Sequence, residues 1–331
     1  MTNAGTNVVL VTGGAGYIGS HMTYALRDRG ERVIVLDNLT TGVRAQLAEG
    51  AVFAQGDAGD SALVRKLIAE HHVSDVIHFA GSIVVPESVV EPLRYYANNV
   101  LQSHALLDAC VGGGVGRFIF SSTAAVYAEY AKQPIVESEI KDPMSPYARS
   151  KLMTEWMLED VSRASGLRYV ALRYFNVAGA DPKGRTGQST PRATHLIKRA
   201  SQVALGRVPQ LDIFGTDYPS PDGTGVRDYI HVTDLIDAHL LALDALRAGH
   251  NSDVYNCGYG RGLSVREVVQ AVERVTGAPL PVRGAPRRAG DPAALVADSS
   301  KIKKTLNWKP RHDDLDEIVR SALAWERRFN S

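Results

Sequence analysis

Six short apolar runs, at 8–12, 32–37, 51–57, 75–81, 117–122 and 169–176, alternate with helix-like stretches at 17–29, 61–72, 98–112 and 146–165. The runs are almost continuously apolar instead of alternating with polar residues. That is the pattern of strands covered on both faces, which occurs in parallel sheets. Strand–helix–strand repetition then predicts an α/β fold, a doubly wound parallel Rossmann sheet. Beyond residue 177 the rhythm loosens into "GADPKGRTGQSTPRA" and "FGTDYPSPDGTGVRD", with shorter helical patterns at 191–206, 231–247, 264–276 and 313–328. The expectation is a nucleotide-binding domain over 1–176 and a smaller α+β substrate lobe over 177–331. Whether segments near 228–258 return to the first domain is left open.

The totals exclude several classes. The 331 residues carry 44% hydrophobic and 22% charged residues with a net charge of +1, which describes a globular chain and argues against electrostatic nucleic-acid binding. No apolar run approaches the roughly 18 residues a bilayer span needs. The start "MTNAGTNVVLVTGG" has neither a basic n-region nor an apolar h-region, so a cytoplasmic protein is expected. Only two cysteines occur, Cys110 and Cys257, far apart in apolar surroundings, which suits a reducing compartment. His71, His72, His231 and His239 show no metal-ligand grouping and are expected at surfaces or helix caps; no metal is expected.

Directly after the first run comes "VTGGAGYIGS", which spaces Gly13, Gly16 and Gly19 as G-x-x-G-x-x-G. Glycines there allow a tight turn, close backbone approach to a pyrophosphate, and close helix–strand packing. The helix that follows offers free N–H groups and the positive end of its dipole. An independent requirement is an acidic residue closing the next strand, to hold the adenosine ribose hydroxyls. Asp37 closes "RVIVLD", and no arginine follows to receive a 2′-phosphate, so NAD is favoured over NADP. Asp57 and Ala58, at the end of the third run, would flank the adenine.

A nicotinamide cofactor needs a group that moves a proton while hydride moves. In "SPYARSK" Tyr147 and Lys151 stand four residues apart on one helix face, with Pro146 suited to the first turn. Bringing a phenol from its usual pKa of about 10 to neutrality takes roughly 4 kcal/mol. A lysine charge about 6 Å away at an effective dielectric near 20 supplies roughly 2.8 kcal/mol. The cationic nicotinamide would add the rest. Thr123, ending "FSST" at the carboxyl edge of the fifth strand, can hydrogen-bond the reacting oxygen.

"TGGAGYIG", "FSSTAAVY", "SPYARSK" and "LRYFNVAGA" together resemble the extended short-chain dehydrogenase/reductase family. "DYPSPDGTGVRDYIHVTDL" and "APRRAGDPAALVAD" narrow the resemblance to its UDP-hexose 4-epimerase branch, and it runs from about Val8 to Trp325. It implies a tightly held NAD, regenerated each cycle, and interconversion of UDP-glucose and UDP-galactose. Tyr147 would take the proton of the sugar O4 while C4 gives up hydride; the 4-keto sugar then turns over and receives hydride on its other face. On the cofactor side it implies Tyr17, Ile18, Asn38, Phe79, Ala80, Gly81, Asn98 and Phe175. For the UDP-sugar it implies Asn176, His195, Leu196, Phe214, Tyr229 and Asp291, beside Thr123, Tyr147 and the bidentate diphosphate donors Arg227 and Arg288, with Leu295 on the hexose wall. It further implies a homodimer through helices 98–112 and 146–165.

Three positions depart from the branch pattern. Ile83 stands where some relatives carry lysine, His195 where others have asparagine, and Leu295 where tyrosine or cysteine is usual. A sugar-nucleotide dehydratase would need an Asp-Glu pair straight after the threonine, and Ala124 and Ala125 stand there instead. An NAD-sensing regulator on this fold would typically lack the tyrosine or the lysine. UDP-pentoses and UDP-N-acetylhexosamines remain open as substrates.

Overall fold

The structure is a computed structural model that describes residues 7–190, 194–288 and 291–329. Its first half builds strands β1 (Val8–Thr12), β2 (Arg32–Asp37), β3 (Val52–Gln55), β4 (Asp75–His78), β5 (Arg117–Thr123) and β6 (Arg168–Tyr174). Further on come β7 (Asn176–Ala178), β8 (Leu211–Phe214), β9 (Val226–His231), β10 (Asp253–Cys257), β11 (Gly262–Ser264), β12 (Val282–Ala285) and β13 (Ala294–Leu295). The helices are α1 (Tyr17–Asp28), α2 (Ser61–His71), α3 (Val85–Val90), α4 (Pro92–Tyr96), α5 (Gln102–Gly112) and α6 (Pro146–Ser165), then α7 (Leu196–Ala204), α8 (Val232–Arg247), α9 (Val265–Thr276), α10 (Ser300–Leu306) and α11 (Leu315–Phe329).

Seven strands form one parallel sheet in the order β10-β6-β5-β4-β1-β2-β3. The first six are thus the doubly wound order, with the switch point between β1 and β4. The continuous apolar runs of β1, β2, β4, β5 and β6 follow from this placement. The third run is a correction: β3 is the edge strand, none of its residues is buried, and Val52 is 46% exposed. Val9, Val11, Val33 and Val35 enter a core on one face, beneath α1 and α8, whereas Val8, Leu10, Ile34 and Leu36 enter the core on the other, beneath α2 and α5. β10 lies beside β6, and α8 packs on β5 and β6, so late sequence completes the sheet. In the second half, β9 pairs with β7, β11 and β13, and α7, α9 and α11 gather around Ile197, Val268 and Ile318.

Several segments differ from their sequence expectation. The helix expected from 98 begins at α4 and runs through a π-helical turn, Ala97–Leu101, into α5. Of the helix expected over 191–206, residues 191–193 lie outside the described residues and α7 starts at Leu196. His239 is a correction: it is neither at the surface nor a cap, but fully buried in α8 against the rings of Phe79 and Tyr174, because its position falls on the inward stripe of that helix. His231 does cap α8, accepting from the Thr233 N–H, but it too is buried. Both cysteines are buried free thiols, and among the described residues no helix is long and apolar enough to cross a membrane.

Candidate active site

The carboxyl ends of β1, β2, β4, β5 and β6 open into one cleft of about 870 Å³. The glycine loop forms its floor. Gly13 holds φ +69°, a left-handed turn, and a Cβ there would stand 2.6 Å from the Ala80 nitrogen. At Gly19 a Cβ would fall 2.1 Å from the Gly13 carbonyl oxygen, so α1 can approach β1 this closely only with glycine. α1 starts at Tyr17 after Gly16, which offers no capping side chain, and Gly16, Tyr17 and Ile18 line the cleft, leaving the helix start turned toward it. Asp37 also lines the cleft. Its carboxylate accepts from the Ala15 N–H at 2.9 Å and from the Leu39 N–H at 2.8 Å, which ties the strand end to the glycine loop. Asn38 donates to Asp57 at 2.6 Å, and Ala58, Phe79, Ala80, Gly81, Asn98 and Phe175 complete this side. An adenosine with a free 2′-hydroxyl and a pyrophosphate fits these groups; a 2′-phosphate beside the Asp37 carboxylate does not.

Ser145 starts α6 by accepting from the Ala148 N–H, and Pro146 takes the first turn. That start points Tyr147 and Lys151 into the cleft, where Thr123 arrives from the end of β5. Burial pushes the Tyr147 phenol above its usual range, while the Thr123 hydroxyl pulls it back down. Lys151 is fully enclosed: its ammonium donates to the Ser121 carbonyl at 3.0 Å and sits 5.0 Å from the Phe120 ring centre. Burial lowers its pKa to about 8. The chain's own groups therefore leave the phenol above neutrality, and the shift expected from Lys151 together with a cationic nicotinamide starts from this raised value. Desolvation acts on both groups in the direction of the neutral forms.

On the opposite side of the cleft stand Asn176, His195, Arg227, Asp291 and Leu295. Arg227 pairs with Asp291 at 3.4 Å, and His195 shares a 2.6 Å contact with Gln188. Leu196 and Tyr229 do not line the cleft; with Asn176 and His195 they border a space of about 20 Å³, room for one water, just behind it. Phe214 and Arg288 do not line it either, the guanidinium stacking 3.7 Å from the ring centre. Ile83, Val84, Val85, Ala124, Ala125 and Leu295 give the reacting end apolar walls.

Some participants escape a motif search. Asn99 is buried and braces the cleft edge, accepting from the Ser82 N–H and donating to the Ser82 carbonyl and to Ser150 Oγ. Tyr174 lines the cleft with its hydroxyl on Ser121 Oγ. The first could have been suspected from the doubled asparagine of "ANNV"; the second lies inside "LRYFN" with no signal of its own.

A parallel sheet that sets a tyrosine–lysine helix beside its own dinucleotide loop has the architecture of a short-chain dehydrogenase/reductase. A model of the NAD dependent epimerase/dehydratase family matches residues 9–258. The chain is 57% identical to the UDP-glucose 4-epimerase of Azospirillum brasilense, over 96% of this chain and 92% of that protein. A solved UDP-glucose 4-epimerase superposes with a TM-score of 0.95 at 47% identity, covering 98% of this chain and 99% of that one. The Brucella ovis UDP-glucose 4-epimerase, solved in complex with NAD, gives 0.93 at 46% identity, covering 96% and 98%. This chain belongs to the NAD dependent epimerase/dehydratase family, and it is an enzyme whose cofactor is NAD.

Proposed function

We propose that the protein interconverts UDP-glucose and UDP-galactose by transient oxidation at the sugar C4, with Thr123, Tyr147 and Lys151 as the reacting set. One observation carries the reading most directly. The tyrosine, lysine and threonine share a single cleft with the glycine loop, while Ala124 and Ala125 leave no acid–base pair for dehydration. NAD held along the glycine loop would supply the hydride acceptor and donor for C4. Every other step falls to the chain. Tyr147 takes the O4 proton at its phenol oxygen and gives it back, Thr123 hydrogen-bonds that oxygen, and Lys151 holds positive charge beside both. Gly13, Gly16, Gly19, Tyr17, Ile18, Asp37, Asn38, Asp57, Ala58, Phe79, Ala80, Gly81, Asn98 and Phe175 are assigned to the dinucleotide on the strength of their shared cleft wall. For the UDP end, Asn176, His195, Arg227 and Asp291 supply donors and acceptors, with Leu196, Phe214, Tyr229 and Arg288 around them. The 4-keto sugar must turn over before hydride returns, and the apolar walls near Ile83 and Leu295 hold it with few hydrogen bonds to break.

Purified protein incubated with UDP-galactose and no added NAD should form UDP-glucose to equilibrium, and acid denaturation should release close to one NAD per chain. Formation of a 4-keto-6-deoxy sugar in its place, or activity only with added NADP, overturns the proposal.

The homodimer belongs to the same proposal. Leu101 and Trp156, on the segments 98–112 and 146–165 expected to pair, are 66% and 54% exposed, and Leu93 on the adjoining α4 is 80% exposed. Sedimentation velocity should return twice the chain mass. Two buried thiols suit a cytoplasmic setting.

A further inference from the structure

Beneath the cleft lies a buried polar cluster that the proton and hydride steps do not use. Glu155 follows Tyr147 and Lys151 on the same face of α6, at the next four-residue step. It is 5% exposed, and Arg173 on β6 is 3% exposed. The guanidinium forks onto this carboxylate, with Nε 2.9 Å from Oε1 and Nη2 on Oε2. Ser122 Oγ donates to the same carboxylate. The remaining Arg173 nitrogen donates to Tyr127 Oη at 2.9 Å and to the Glu137 carbonyl at 3.2 Å. Tyr127 donates its own hydroxyl hydrogen bond to Asn256 Oδ1 on β10, and the Asn256 amide donates onward to the Ile135 carbonyl.

The positions of these residues are what matter. In the β5–β6 register Ser122 faces Arg173 and Thr123 faces Tyr174, so each partner of Glu155 is the immediate neighbour of a residue lining the cleft. α6 therefore grips the end of β5 twice, one turn apart: Lys151 holds the Ser121 carbonyl, and Glu155 holds the Ser122 hydroxyl. Thr123 is the next residue along the strand. A buried ion pair is poor value for stability, since apolar residues of similar size commonly do as well or better. Its complete hydrogen bonding suits a different task, because such networks fix a unique geometry.

We propose that Glu155, Arg173 and Ser122 form a positioning clamp that sets the distance between the Thr123 and Tyr147 hydroxyls for C4 chemistry. The inference rests on the epimerase reading above. Small displacements of reacting groups cost large factors in rate. Loss of the clamp should act on turnover far more than on substrate binding.

Three holoenzymes are compared: native, Ser122→Ala, and Glu155→Leu/Arg173→Met, which replaces the pair with apolar side chains. Both variants should lose about tenfold or more in kcat with KM changed by less than about twofold. With sugar deuterated at C4, the isotope effect on kcat should rise in both as the chemical step becomes limiting. The apolar pair should keep or raise the thermal midpoint, separating positioning from stability. Ser122→Ala removes only a hydroxyl and keeps the test readable should the double variant fail to fold. Native-like kcat and isotope effect in Ser122→Ala overturn the proposal whatever happens to the midpoint. Should the native enzyme itself fail to turn over UDP-galactose, the epimerase reading falls separately. The clamp is then judged from crystal structures of native and Ser122→Ala holoenzyme, where an unchanged Thr123–Tyr147 separation overturns it.

Discussion

At the scale of single residues the site sets catalysis against stability. Lys151 is held near pKa 8 by burial, below the roughly 10.4 of an unfolded chain. A lysine whose folded value is depressed penalises folding in full below the folded pKa, and the penalty fades as pH rises toward the unfolded value. Lys151→Met should therefore stabilise the protein at pH 7 by about 1–2 kcal/mol, after the lost bond to the Ser121 carbonyl is counted. Denaturant curves should show the gain shrinking between about pH 8 and 10.4, and turnover should nearly vanish at every pH. Tyr147→Phe should leave UDP binding and folding in place while lowering kcat by roughly 10²–10⁴-fold, since only the proton-carrying oxygen is lost. A near-native rate would move the acid–base role to another group. Leu295 packs beside Phe175 and Tyr127 and lines the cleft. Having less volume than tyrosine and no hydroxyl, it leaves space for a C2 N-acetyl group on the turning sugar. Leu295→Tyr should lower kcat/KM for UDP-GlcNAc selectively; equal losses for UDP-GlcNAc and UDP-glucose would show that this side chain is not the gate.

Among the elements, the turn from β1 into α1 leaves the least freedom. The Gly13 carbonyl occupies the space where a side chain on Gly19 would begin. Gly19→Ala should lift α1 from the loop, costing about 1–3 kcal/mol by overpacking. It should also cut the NAD released per folded chain, measured by acid extraction beside an unfolding curve. Element boundaries show how local signals and packing divide the work. Ser145 and Pro146 mark the start of α6 in the sequence, and the structure starts it there. The strand at 226–231 carries "VRDYIH", whose arginine and aspartate hide a strand flanked by β7, β11 and β13. Asp228 is buried there because its carboxylate accepts from the Tyr259, Gly260 and Ala297 N–H groups. No local pattern announces such long-range partners.

For the molecule as a whole, neutral histidines sealed in the core make acid the weak side. Burial lowers His21 and His239 to about 4, and His78 and His231 to about 3. Unfolded, each would titrate near 6.5. A base whose folded pKa is depressed leaves stability intact above the unfolded value and removes it as pH falls below. Each of these histidines should cost about 1.4 kcal/mol per pH unit below 6.5. Urea midpoints should fall steeply between about pH 6.5 and 4 and stay flat from 7 to 8. A flat profile through pH 5 would mean these rings gain protons without unfolding.

What the sequence determined alone are the features in which chemistry and periodicity act locally. Continuous apolar runs require a sheet covered on both faces, the glycine spacing requires a backbone that nothing bulkier can follow, and Tyr147 and Lys151 share a face by helix geometry. Tertiary structure decided everything that depends on residues distant in the chain. β10 joined the sheet beside β6 across more than seventy residues because a parallel strand pairs by hydrogen bonds that leave no local signature. His239 became core because α8 turned it inward onto Phe79. Lys151 and Tyr147 have altered proton affinities because the fold closes over them. Desolvation is a property of everything packed around a group, so no reading of the chain one segment at a time could supply it.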